Sequence, residues 1–151
     1  MLKFNGLQYY FLALLMISST FSQAEQITSD NNVRFIDGSN LIIKDKRISL
    51  YAITVPELGS FCDERKQKFD CGLIARSSLM DMSAGAKIIC QKASAPHNEK
   101  KYKCLSNGYD LSEGMVYTGW AKPLDTAPQH FQKLAREAKI KKHGIWRILN
   151  K

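Results

Sequence analysis

The chain has 151 residues, with 22 Lys and Arg against 14 Asp and Glu, a net charge of +8 that suits one basic domain. Hydrophobic residues at 44% and charged residues at 24% exclude wholesale disorder, and 9 Gly with 4 Pro exclude collagen-like or low-complexity repeats. Four cysteines without a Cys-x-x-Cys pair favour two disulfides over a metal cluster, and so an oxidising compartment.

Lys3 precedes the apolar run Tyr9 to Ile17, which is too short to span a bilayer, and Ser22 and Ala24 occupy the small-residue positions of a cleavage site. This pattern predicts a signal peptide over 1–24, export to the periplasm or the medium, and no transmembrane anchor. Residues 25–32 are polar and aperiodic, predicting a disordered lead-in to one domain over 33–151. Val33 to Ile36, Asn40 to Lys44 and Arg47 to Ile53 are β-branched and aliphatic runs broken by Asp37-Gly38 and Lys44-Asp45-Lys46, predicting a three-stranded meander. Pro56 ends it, and Glu57 to Asp70 reads as a charged loop. Gly72 to Ala84 is predicted helical, with Ala75, Leu79 and Met82 on one face and Gly85 at its end.

Lys87 to Lys92 and Tyr102 to Leu105 read as two more strands, followed by the tight turn Asn107-Gly108. Asp110-Leu-Ser-Glu113 has the form of a capping box opening a short helix that ends near Gly119. A third helix is predicted from about Ala127 to Lys142, with Phe131, Leu134, Ala135 and Ala138 inward and Gly144 as its stop. Five strands and three helices imply an α+β domain with a barrel-like sheet.

Several of these segments, taken in order, resemble the staphylococcal-nuclease-like (thermonuclease) domains. Phe35-Ile-Asp-Gly-Ser39 is similar to that family's Val-Ile-Asp-Gly-Asp, and Leu50-Tyr-Ala-Ile-Thr-Val-Pro-Glu57 to its Leu-Tyr-Gly-Ile-Asp-Ala-Pro-Glu. Cys71-Gly72, Ala75, Leu79, Cys90, Cys104, Gly108, Asp110-Leu111, Gly119-Trp120-Ala121 and Gly144-Ile145-Trp146 follow in family order, so the resemblance covers Val33 to Arg147. It implies a five-stranded OB-fold β-barrel with three helices. Spacing alone leaves three cysteine pairings open; the resemblance to the exported branch implies Cys62 with Cys71 and Cys90 with Cys104, each loop contributing about 3 kcal/mol on the chain-entropy estimate.

The resemblance also implies a chemistry: two aspartates on calcium, a glutamate on the attacking water, and two arginines on the phosphoryl group. Calcium requires hard charged oxygens, the water a carboxylate acceptor, and the developing charge forked cationic donors. At the calcium positions this sequence has Ser39 and Thr54, and at the arginine positions Ser49 and Glu99, or Lys100 if the loop differs by one residue. Asp37, beside the family's metal site, and Glu57, the water-activating position, are retained, and Arg47 lies on the strand face of Ser49, one step displaced, as a candidate substitute. Each carboxylate removed forfeits several kcal/mol of attraction for a divalent cation at an effective dielectric of about 20. A transition-state arginine is worth roughly 10³ to 10⁵ in rate in phosphoryl transfer. The expectation is therefore a degenerate site, inactive as a calcium nuclease and without a cofactor, calcium entering only if the altered site still binds it.

His97, His130 and His143 lack metal-ligand spacing and are read as surface residues, and Trp120 and Trp146 as packing residues. Lys100, Lys101 and Lys103, with Lys133, Arg136 and Lys139 on the last helix, form a candidate basic patch. Three functions follow: an exported binding module for nucleic acid or another polyanion, an active nuclease with an altered site using Glu57, Asp37 and Arg47, or a structural domain with a protein partner. The sequence leaves oligomeric state open.

Overall fold

The computed structural model describes residues 25–29, 32–64, 67–96 and 99–149. The predicted signal peptide and His97 lie outside them. The described residues form an α+β fold of eleven short strands, all paired antiparallel, and four helices.

The expected lead-in contains a strand, β1 (Gln26–Thr28), which pairs with β8 (Ile88–Ala93) and buries Ile27 in the core. Three residues are too few to show alternation, so partner pairing rather than local pattern determines this strand. The predicted meander forms as β2 (Val33–Phe35), β3 (Asn40–Ile43) and β4 (Lys46–Ser49). Leu41, Ile43 and Ile48 are fully buried, and Leu41 sits opposite Ile48. Each such side chain contributes about 1.5–3 kcal/mol by leaving water.

The third expected strand, Arg47 to Ile53, is split. Ala52 takes a φ of 64°, a left-handed conformation that extended backbone does not tolerate, and the chain leaves the sheet. Ile53–Thr54 becomes β5 and pairs with β11 (Lys122–Pro123). The segment read as a charged loop contains a hairpin, β6 (Phe61–Glu64) and β7 (Gln67–Asp70).

Helix α1 (Cys71–Ser83) begins where Asp70 caps it, its carboxylate accepting from Leu73 N at 2.9 Å and from Gly59 N at 2.9 Å. Chiefly the Leu73 N–H, with those of Gly59 and Gly72, holds the Asp70 carboxyl below its usual value against the opposing effect of desolvation. Gly72 lies against the chain at Glu57: a Cβ there would stand 2.0 Å from the Glu57 carbonyl oxygen. The Cys62–Cys71 disulfide joins β6 to the start of α1, and Cys90–Cys104 bridges directly opposed residues of β8 and β9 (Lys101–Ser106) inside the core.

Beyond the Asn107-Gly108 turn, β10 (Tyr109–Asp110) leads into α2 (Leu111–Tyr117). Asp110 caps it, accepting from Ser112 N at 2.8 Å and Glu113 N at 3.2 Å. Burial raises the Asp110 carboxyl above its usual value despite those bonds and Lys103 at 3.7 Å. The Glu113 carboxylate faces His130 Nε2 at 3.1 Å.

Helix α3 (Gln129–Ile140) turns Phe131, Leu134, Ala135 and Ala138 inward as expected. A fourth, unexpected helix, α4 (Ile145–Leu149), follows Gly144. The turns at Gly119 and Gly144 touch backbone to backbone, with Ile145 N donating to the Gly119 carbonyl at 3.0 Å. A Cβ on Gly119 would lie 2.3 Å from the His143 carbonyl oxygen, and one on Gly144 2.5 Å from that of Gly119.

The described strands lie in four hydrogen-bonded sheets, with the orders β1-β8-β9-β10, β2-β3-β4, β5-β11 and β6-β7, the first three contributing to one core. The two larger sheets meet at a parallel bridge between Leu50 and Tyr102, and no closed ring of ladders forms among the described residues.

Candidate functional site

A cleft of about 530 Å³ opens between the β2–β3 turn, β5 with the loop after it, and the start of β9. Its polar lining is Asp37, Ser39, Asn40, Thr54, Glu57, Glu99 and Lys101. Fold geometry thus brings together most of the residues singled out for chemistry, although they come from three separate stretches of chain.

The turn is built by Asp37. Its Oδ1 accepts from Ser39 N at 2.7 Å, Asn40 N at 2.8 Å, Ser39 Oγ at 3.1 Å and Asn40 Nδ2 at 3.0 Å, and its Oδ2 from Asn40 Nδ2 at 2.8 Å. An aspartate that folds back on the two following residues stabilises the chain reversal between two strands. Asn40 also accepts from Ser49 Oγ at 2.6 Å, across the β3–β4 pair in which the two residues are opposite. Ser49 therefore stands at the edge of the cleft, tied to Asp37 through Asn40.

Thr54 is exposed on β5 opposite Lys122. Glu57 is exposed, and its carboxylate makes no hydrogen bond among the described residues; its backbone is fixed by Ser60 N, which donates to its carbonyl at 3.0 Å, and by the approach of Gly72. Glu99 pairs with Lys101 at 3.5 Å. Arg47 is exposed on β4 opposite Ile42 and is not among the residues that line the cleft.

The charge census follows. Among the described residues, three carboxylates face one lysine, which is already paired, and no arginine lines the cleft. A phosphodiester meets net negative charge there. Calcium finds no better fit. Ser39 and Thr54 offer neutral hydroxyls, Asp37 Oδ1 is committed to four donors, and among the described residues no three His, Cys, Asp or Glu side chains gather closely enough to hold a metal ion.

Asn40 was not anticipated as a site residue, although its place directly after Ser39 at the start of a strand was visible. Lys101 was placed in the basic patch instead of the cleft. Lys103 reaches Asp110, so two of the three strand-side lysines are locally compensated. On α3, Lys133 and Arg136 have no ion-pair partner among the described residues, and Lys139 lies over the Trp146 ring at 5.8 Å beside Lys122 at 5.4 Å. Trp120 packs on the core, His130 meets Glu113, and His143 Nδ1 lies 2.8 Å from the Tyr117 carbonyl oxygen. No protein-family model matches this sequence, and comparison with curated proteins finds none similar to it.

Proposed function

We propose that this protein is an exported, disulfide-stapled domain of the staphylococcal-nuclease-like kind, with an OB-type barrel, that binds polyanions and does not hydrolyse them through calcium. The observation that carries the reading is the charge of the cleft. Three carboxylates and one paired lysine repel a phosphodiester, and the aspartate nearest the former metal position is consumed by its own turn. Uncompensated positive charge lies instead on α3. Two buried or half-buried disulfides support an oxidising environment, and no helix among the described residues is long and apolar enough to cross a membrane. The meeting of the two larger sheets at Leu50 and Tyr102 over one core supports the barrel reading.

The test is hydrolysis of DNA and RNA with and without calcium, beside a salt titration of polyanion binding. The expected result is no calcium-dependent cleavage and binding that weakens steeply with salt. Ser39→Asp with Thr54→Asp should create calcium binding visible by calorimetry, and adding Ser49→Arg should restore detectable cleavage with Glu57 serving the water. Calcium-dependent cleavage by the unaltered protein, abolished by Glu57→Gln, would overturn the reading in favour of the altered-site nuclease.

A further inference from the structure

The outer face of α3 carries Gln129, Lys133, Arg136 and Ile140 at successive spacings of four, three and four, all exposed, opposite the buried stripe of Phe131, Leu134, Ala135 and Ala138. Ile140, a large aliphatic side chain, is 80% exposed at the end of this face. Lys141 follows it and reaches back to Tyr117, its Nζ donating to the phenol oxygen at 3.1 Å and lying 4.9 Å from the ring centroid. Tyr117 is itself 40% exposed. One end of the molecule therefore presents an isoleucine and a tyrosine among Arg136, Lys139, Lys141 and Lys142, with Glu137 the one acidic residue in this stretch of chain.

We propose that this end of α3 docks on a phospholipid surface bearing anionic headgroups. The inference rests on the polyanion reading and specifies its partner. Charge complementarity selects an anionic surface. The apolar tip selects lipid among anionic surfaces, because an exposed isoleucine gains nothing from a phosphate backbone and gains burial at the headgroup–acyl boundary. Lysine and tyrosine suit that boundary, each pairing an apolar stem or ring with a polar end that stays in water. Single-stranded nucleic acid binding depends instead on open aromatic faces for base stacking. At this end of the molecule those faces are taken: Lys122 and Lys139 lie over Trp146, Lys141 lies over Tyr117, and the His143 ring meets Tyr117 edge-on at 5.4 Å, while the exposed rings of Phe61 and Tyr109 lie on other elements, β6 and β10.

The experiment is co-sedimentation of the exported protein with phosphatidylcholine vesicles carrying about 30% phosphatidylglycerol, and with phosphatidylcholine vesicles alone, beside retention of a single-stranded oligonucleotide. The expected result is binding to the anionic vesicles and not to phosphatidylcholine alone, weakened about fivefold by Arg136→Gln. Ile140→Ser is expected to weaken it about tenfold while leaving oligonucleotide retention unchanged. Both substitutions are on exposed positions, so an unchanged melting temperature certifies the fold. Anionic-vesicle binding that ignores Ile140→Ser, or equal binding to both vesicle types, overturns the inference. Oligonucleotide binding without vesicle binding overturns it and leaves the polyanion reading standing; binding to neither removes both.

Discussion

The cleft and the outer face of α3 treat charge in opposite ways. In the cleft, Asp37 is satisfied by its own turn, Asn40 links it to Ser49, and Glu99 meets Lys101, so that the polar groups are largely spent on one another. On α3, Lys133 and Arg136 point away from a packed apolar stripe and have no ion-pair partner among the described residues. Groups that satisfy one another hold a fold together; groups left uncompensated on a rigid element are available to a partner. On the proposed reading, the cleft's polar groups do structural work and recognition falls to a helix.

The largest expected effect separates the two regions by stability. Gly72→Ala drives a methyl group into the Glu57 backbone and should cost about 3 kcal/mol or more, lowering the melting temperature by roughly 10 °C. Polyanion affinity measured well below that temperature should stay within about twofold, since α3 does not share the contact. A parallel loss of affinity would show that the two regions are not independent. Next comes charge reversal of the helix. Lys133→Glu with Arg136→Glu should weaken heparin binding by at least about 25-fold with little change in melting, whereas Glu57→Gln with Glu99→Gln should not weaken it at all. An equal response from the cleft pair would place recognition in the cleft.

Asn40→Ala tests the internal network of the cleft. It removes the donor to both Asp37 oxygens and the acceptor of Ser49, and should cost about 1–2 kcal/mol in urea denaturation without altering heparin binding. No measurable cost would mean water replaces the network freely.

The smallest effect contrasts the two capped helices through pH. Asp70 is held below its usual value, so its contribution to stability is present above the ordinary carboxylate range and is lost as pH falls through the lowered value. Asp110 is raised by burial, so its contribution is greatest in acid and is lost as pH rises from the ordinary value through the raised one. Melting curves between about pH 3 and 6 should therefore change slope in opposite directions for Asp70→Asn and Asp110→Asn. Like-signed changes would contradict this assignment.

The elements legible from sequence were those whose signal is local. Asp110 and Asn107-Gly108 announce a cap and a turn through the chemistry of single residues, and the stripe from Phe131 to Ala138 announces a helix through its period. The pairings Cys62–Cys71 and Cys90–Cys104 were reached through resemblance and agree with the structure. Hidden elements depend on distant partners or are very short. Hairpin β6–β7 is built from strands in which half the residues are charged and half are exposed, β1 takes its place from β8, and α4 is too brief to show a period. The break at Ala52 has no signal in the residue itself, because alanine does not announce positive φ; its one pointer was the glycine that the resembling motif carries at this position. For the site, residue identities gave the missing charges, while the capture of Asp37 by Asn40 and the place of Arg47 outside the cleft lining needed three dimensions.

The contact of Gly119 with Gly144 bears on how the cationic end would meet its partner. With no side chain between the two turns, the segment from Lys141 to His143 is fastened to the end of α2, and Ile145 N closes the attachment on the Gly119 carbonyl. A loose tail with the same lysines would surrender backbone freedom on every encounter. Here that ordering is completed during folding, and association need restrain only side chains, at about 0.5–1.5 kcal/mol for each one immobilised. Preorganisation of this kind lets a modest number of charges hold a surface that a disordered basic tail would need more of them to hold.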